Sequence, residues 1–107
     1  MNDKLKNMCE DIDGAQSVFV CGYDGLVIDK YIKSNASMDV DTVAAELSSA
    51  VVKLKNNQDK LLDMILTFSN SLIAVKIFEE GFAGVVMSKD GNLGHARLAI
   101  KNITWEI

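Results

Sequence analysis

Few side chains in this sequence have the types and spacing that chemistry requires. His95 is the single histidine, and the two cysteines, Cys9 and Cys21, lack the short ligand spacing of a zinc site. The segment 22–25 has two glycines but neither the lysine nor the helix start of a phosphate-binding loop. Composition leaves a Ser–His–Asp arrangement open, but no nucleophile elbow is present. The sequence therefore predicts no catalytic residue, metal site or cofactor, and we expect neither an enzyme nor a GTPase.

The bulk composition bounds the class of protein. The 107 residues suit one domain over 1–107, and 49% hydrophobic with 24% charged residues is ordinary for a globular chain. The net charge of −4 disfavours nucleic acid and anionic membrane surfaces. No run could span a membrane, and the charged start 1–6 is unlike a signal peptide. We interpret the cysteines as buried free thiols, with a redox pair as the alternative, and predict a cytoplasmic protein.

Hydrophobic periodicity predicts three helices and five strands. The helices are expected over 3–13, 40–54 and 92–104, and the strands over 16–22, 26–32, 61–68, 72–78 and 82–88. Asp24-Gly25 between two apolar runs is a hairpin signal, and short turns make the last three strands a meander. Helix starts are expected at Ser37 or Asp39 and at Asp90 or Asn92, and Asn56-Asn57 fits the end of the second helix.

This order of elements favours an α+β fold with a five-stranded antiparallel sheet and the topology αββαβββα. The run Val85-Val86-Met87 has no polar alternation, and 61–66 has apolar residues of both parities. Strands of this kind are buried on both sides, and three amphipathic helices also need a surface to cover. We therefore expect helices on both faces of the sheet.

Three segments resemble the roadblock family of dynein light chains and bacterial MglB-type GTPase regulators. They are 19–29, 44–49 and 84–98. The resemblance implies the strand order 2-1-5-4-3, with the long helix on one face and the other two helices on the opposite face. It also implies a homodimer or a pair with another roadblock chain. As a function it implies a non-enzymatic regulator that binds a small Ras-like GTPase and modulates its nucleotide cycle.

The only arginine, Arg97, invites comparison with an arginine finger, which accelerates phosphoryl transfer. A finger normally projects from a loop, whereas Arg97 falls inside a predicted helix. We therefore interpret it as an ordinary helix residue, and expect any stimulation of hydrolysis to come from repositioning of the GTPase's own groups.

The implied strand order leaves 26–32 and 61–68 as the edges of the sheet, and an apolar edge invites pairing. Across a two-fold axis such pairing would give one ten-stranded sheet. Small residues behind the core stripe of the long helix would let a second helix approach; the alternative is that they face solvent. The predicted dimer interface consists of Ala45, Ser48, Ser49, Val52, Leu62, Met64, Leu66 and Phe68.

The first and last helices are the expected docking surface for the GTPase. Candidate contacts there are Met8, Asp11, His95, Leu98 and Asn102, each of which could instead be an ordinary helix residue. Trp105 is expected to pack against the core, with an exposed anchor for a partner as the alternative. The alternative functions are a structural adaptor without effect on nucleotide turnover and, last, a small-molecule sensor.

Overall fold

A computed structural model describes residues 2–33, 36, 38–55 and 59–103. Its elements follow the predicted order: α1 (Asn2–Asp11), β1 (Ala15–Gly22), β2 (Val27–Ile32), α2 (Val40–Lys55), β3 (Asp63–Thr67), β4 (Ser71–Ile77), β5 (Gly81–Ser88) and α3 (Leu93–Lys101). Among the helices of this described part, none is long and apolar enough to cross a bilayer.

The five strands form one sheet in the order β2-β1-β5-β4-β3, and every neighbouring pair is antiparallel. This confirms the predicted fold class, and it confirms the strand order that the resemblance implied. The central strands β1 and β5 are buried along nearly their whole length. The edge strands β2 and β3 alternate between half-buried and exposed residues, as expected of strands with one uncovered side.

Each face of the sheet carries its own hydrophobic core. On one face α1 lies over β1 and β2 while α3 lies over β4 and β5. The core there consists mainly of Leu5, Cys9, Ile12, Val18, Val20, Val85, Met87, Ala96 and Ile100. On the other face α2 closes a second core made of Phe19, Cys21, Val40, Ala44, Leu47, Ile73, Val75, Phe82 and Val86. The alternation of side chains along each strand sends neighbouring residues into different cores.

Two glycines allow the turn after α1 and the turn before α3 to contact each other. Gly14 has φ of +87°, and a Cβ there would lie 2.5 Å from Cα of Gly91. The close approach allows Ser88 N–H to donate to the Gly14 carbonyl at 2.8 Å and Asn92 N–H to donate to the Asp13 carbonyl at 3.0 Å. These hydrogen bonds place the two helices on the same face of the sheet.

The differences from prediction concern the ends of elements. α3 begins after its predicted cap Asn92, whose side chain accepts from His95 N–H, but it ends at Lys101 rather than 104. β3 is shorter than 61–68 because β4, its partner strand in the described part of the chain, ends at Ile77. Residues 37, 56, 57 and 105 lie outside the described part, so the predictions made for them stay predictions. Both cysteines are free and buried, on opposite sides of the sheet.

Candidate protein-interaction surfaces

β3 leaves one side of its backbone without a strand partner in the described part of the chain. Ile77 N–H donates to the carbonyl of Leu62 at 3.0 Å, and Phe68 N–H donates to the carbonyl of Ser71 at 2.8 Å. Backbone groups alternate in direction along an antiparallel strand. Since 62, 64, 66 and 68 point toward β4, the N–H and C=O groups of 63, 65 and 67 point outward.

The side chains along this edge separate into buried and exposed sets. Met64 and Leu66 are half-buried and pack against the core beneath α2. Leu62 and Phe68, just outside the two ends of the strand, are 64% and 44% exposed. Ile65 is 38% exposed on the opposite face of the sheet and was not among the predicted interface residues. The open backbone edge is thus flanked by exposed apolar side chains on both faces.

The predicted small-residue surface of α2 does not lie beside the β3 edge. Gly25 in the turn between β1 and β2 has φ of +88°, and a Cβ built there would lie 3.2 Å from Oγ of Ser48 and 3.7 Å from Cα of Ala45. Ser48 is therefore only 5% exposed, and its hydroxyl donates to the carbonyl of Ala45 at 2.8 Å. The expectation that Ser48 faces outward is wrong, because the hairpin turn packs on it. Ser49 and Val52 are exposed.

This flank of α2 points toward β2, at the edge of the sheet opposite to β3. Lys30 in β2 forms an ion pair with Asp41 at the start of α2, with 2.8 Å between Nζ and Oδ2. Lys55, at the other end of the helix, places its Nζ 4.1 Å from the ring centre of Tyr23. The structure therefore does not bring Ala45 and Val52 together with the β3 residues.

The start of α2 is held by a side-chain cap. Asp39 accepts from Asp41 N–H at 3.2 Å and from the hydroxyl of Thr42 at 2.8 Å, which confirms one of the two predicted caps. The hydrogen bond from the Thr42 side chain holds the pKa of the exposed Asp39 below its usual value.

The predicted GTPase-binding residues lie on α1, on α3 and, for Asn102, at the residue that caps the end of α3, and they differ in burial. Met8 is half-buried against the core, whereas Asp11 at the end of α1 is exposed. His95 and Leu98 are exposed on α3, with Leu98 at 61%, and Asn102 is exposed just after the helix. Leu98 lies on the side of α3 that faces β3, while α1 lies over β1 and β2.

A groove of about 590 Å³ runs between α3 and the outer strands β3 and β4. It forms because α3 covers β4 and β5 but leaves β3 uncovered on this face. One side of α3 lines it, with residues spaced as i, i+3, i+4 and i+7: Gly94, Arg97, Leu98 and Lys101. The opposite wall includes Leu62, Asp63 and Ile65.

Lys76 closes the end of this groove. Its Nζ donates to the carbonyl of Lys101 at 2.7 Å and to the carbonyl of Ile103 at 2.8 Å. The carbonyls at the end of a helix carry partial negative charge, which an ammonium group stabilises. The side chain therefore anchors the end of α3 to β4.

The remaining reactive groups are structural. Burial raises the pKa of the Cys21 thiol to about 11 and also raises the pKa of Cys9, which makes both thiols poor nucleophiles. Within the described ranges no three His, Cys, Asp or Glu side chains come together as a metal site. The hydroxyl of Tyr23 donates to the carbonyl of Phe78 and ties two turns together.

Three residues of these surfaces were not among the predicted interaction residues: Arg97, Lys101 and Ile65. The helical spacing of Gly94, Arg97, Leu98 and Lys101 was visible, and this helix contains no acidic residue. That combination indicates a basic and apolar helix side, but the strand that lines the other wall is recognisable only in the folded chain.

Three solved structures resemble this chain over nearly its whole length. MglC from Myxococcus xanthus matches with a TM-score of 0.72 at 19% identity, over 92% of this chain and 88% of the other. A Roadblock/LC7 domain from Streptomyces avermitilis matches with 0.78 at 12% identity, over 94% and 88%. An MglB with a tetrameric arrangement matches with 0.76 at 18% identity, over 92% and 78%. No protein-family model and no curated protein matches the sequence. At these identities the likeness concerns architecture, and the chain has the fold of the Roadblock/LC7, MglB and MglC structures.

Proposed function

We propose that this chain is a non-enzymatic regulator that self-associates through β3 and binds a small Ras-like GTPase. The observation that carries the proposal is the match of the whole fold to an MglC structure at a TM-score of 0.72 and to an MglB structure at 0.76. The sequence resemblance to bacterial GTPase regulators points the same way. The MglB structure with a tetrameric arrangement supports self-association of a chain with this fold.

The β3 edge offers a geometry for that self-association. A two-fold axis at Ile65 would set the outward groups of 63, 65 and 67 opposite those of 67, 65 and 63 in a second copy. In this register Asp63 faces Thr67 of the copy rather than another Asp63, so like charges are kept apart. The exposed side chains of Leu62, Ile65 and Phe68 would be covered in the same step.

Ala45, Ser49 and Val52 remain a proposed helix-packing surface. Because this flank of α2 lies on the β2 side, it would form a contact separate from the β3 edge. Ser48 is buried beneath the hairpin turn, so it would not touch a second chain directly and would only pack behind this surface.

The test of self-association is a proline at an outward-facing position. Thr67→Pro removes an N–H that points away from β4, whereas Thr67→Val keeps it and serves as the matched control. In a two-fold pair the proline removes two hydrogen bonds, which costs about 1–3 kcal/mol, or roughly 5- to 150-fold in the dissociation constant. Sedimentation equilibrium measures both variants and the unaltered chain. Equal dissociation constants for the two variants, or a monomeric unaltered chain, would contradict the proposed pairing.

GTPase binding is tested with small Ras-like GTPases encoded in the same genome, loaded with GTP. The α1 and α3 residues Met8, Asp11, His95, Leu98 and Asn102 are the proposed contacts. Leu98→Asp should weaken binding without changing self-association, whereas Ala50→Asp, at an exposed position of α2 outside the proposed contacts, should leave binding intact. Single-turnover hydrolysis then separates the functions: a changed rate supports regulation, and binding with an unchanged rate favours the adaptor alternative. Absence of binding by every such GTPase contradicts the proposal.

A further inference from the structure

We propose that the groove between α3 and β3 binds an acidic, apolar segment of a partner protein. The inference does not depend on GTPase binding, because it concerns the chemistry of one groove in the single chain. Its three supports are the charge of the groove wall, the size of the groove and the exposed leucines at its two sides.

The charge of the groove is opposite to that of the whole chain. The chain carries a net charge of −4, yet α3 contributes Arg97 and Lys101 to the wall and has no acidic residue. Among the described residues that line the groove, Asp63 is the only acidic side chain, against three basic ones. In the described part of the chain, no ion pair joins either basic side chain of α3 to a carboxylate. Arg97 and Lys101 are therefore available to carboxylates of a bound segment.

The end of α3 would not repel such a ligand. The carbonyls of Lys101 and Ile103 accept hydrogen bonds from the Lys76 ammonium group, which offsets the negative end of the helix dipole. Lys76 is thus already engaged by these carbonyls, and the basic groups that would meet carboxylates of a ligand are those of Arg97 and Lys101.

The shape of the groove favours a polypeptide segment. Its volume of about 590 Å³ accommodates a few apolar side chains. Leu62 and Leu98, on opposite sides of it, are 64% and 61% exposed. A peptide that lies along the groove would cover both leucines together. At Gly94 the groove is open, since a Cβ there would meet only the Asn92 side chain, at 3.5 Å.

The bound arrangement follows from these positions. Apolar side chains of the segment would contact Ile65 and Leu98, and carboxylates three or four residues apart in a helical segment would reach Arg97 and Lys101. The segment would leave the outward backbone groups of β3 unused. It would nevertheless share Leu62 and Ile65 with the paired β3 edge, so groove binding and self-association would compete for these two side chains.

The experiment pans a random twelve-residue phage-displayed peptide library on the unaltered chain, and the enriched peptides are then synthesised for affinity measurements. We expect enrichment of Asp and Glu together with Leu, Ile or Phe. The double variant Arg97→Glu, Lys101→Glu should bind these peptides at least roughly tenfold more weakly, equivalent to about 1.4 kcal/mol. The matched control is Lys53→Glu, Lys4→Glu, which reverses two exposed charges on other helices and should bind as the unaltered chain does.

The outcomes are separable. Far-UV circular dichroism and thermal melts establish that both double variants are folded, so that lost binding cannot be attributed to unfolding. Leu98→Ser supplies a second, charge-neutral variant and should also weaken binding. Peptides without acidic enrichment, equal loss in the test and control variants, or no enrichment at all would overturn the inference. Because no GTPase is present, failure here leaves the GTPase proposal to its own test.

Discussion

Replacing Gly84 by alanine should destabilise the fold, because a side chain there meets an aromatic ring that cannot easily move. In the central strand β5, Gly84 pairs with Phe19 of β1. A Cβ at Gly84 would lie 2.5 Å from Cζ and 2.7 Å from Cε1 of Phe19. The Phe19 ring is fully buried and makes an edge-to-face contact with Phe82, with 6.2 Å between ring centres. It must retreat by roughly 1 Å to reach ordinary contact distance.

The magnitude follows from two opposing contributions. Overpacking of a filled core costs about 1–3 kcal/mol. The loss of unfolded-chain entropy on replacing glycine by alanine returns about 0.4–1 kcal/mol. We therefore expect Gly84→Ala to lower the free energy of unfolding by about 1–2 kcal/mol. With a urea slope near 1.5 kcal/mol/M, the unfolding midpoint should fall by roughly 1 M.

Two further variants make the reasoning refutable. Gly94→Ala adds the same methyl group in α3, where it meets only the Asn92 side chain at 3.5 Å, and should stabilise by about 0.5–1 kcal/mol. Phe19→Leu should relieve the clash, so that Gly84→Ala costs less in that background than in the unaltered chain. All urea titrations use one chain concentration, since self-association would shift the midpoint. A Gly84→Ala variant as stable as the unaltered chain, or strict additivity with Phe19→Leu, would refute the steric account.

Three more predictions concern local interactions. Lys76→Met removes the ammonium group from the end of α3 and should cost about 1–2 kcal/mol, measured as a lower melting temperature; an unchanged melting temperature would contradict it. The lowered pKa of Asp39 stabilises the fold above the unfolded pKa of about 3.9, and this contribution is lost as the pH falls through the lower folded pKa. Asp39→Ala should therefore lose less stability than the unaltered chain between pH 7 and pH 2.5, by thermal melts. Cys21, buried and with its pKa raised to about 11, should resist a thiol reagent at pH 8 until urea unfolds the chain; rapid labelling of the folded chain would contradict its burial.

Local signals were sufficient for the elements and their order. The apolar stripes of the helices and the Asp24-Gly25 turn are properties of short segments, and the structure has helices, strands and hairpin where these signals predicted them. The ends of elements were less well predicted. β3 is shorter than its apolar run because the length of β4 limits the pairing, and that limit lies in another segment.

In the candidate surfaces, too, the character of a segment was predictable from the local sequence, whereas its burial was not. The apolar character of 62–68 was readable, but the half-burial of Met64 and Leu66 under α2 was not. Serine is a residue type that is common on protein surfaces, yet the turn at Gly25 covers Ser48. A residue type indicates what a position tolerates, whereas burial depends on which distant segment packs there.

By itself the sequence determined the α+β class, the order of helices and strands and the absence of a phosphate-binding loop, because each depends on residues close together in the chain. The strand order came from a family resemblance rather than from local pattern. The resemblance also implied that β3 lies at an edge of the sheet. Only the tertiary structure decided that α3 leaves one face of β3 uncovered and that a groove with a basic wall lies beside it. Both features arise from packing: α3 covers β4 and β5 but stops short of β3, and the segments that create this arrangement are far apart in sequence.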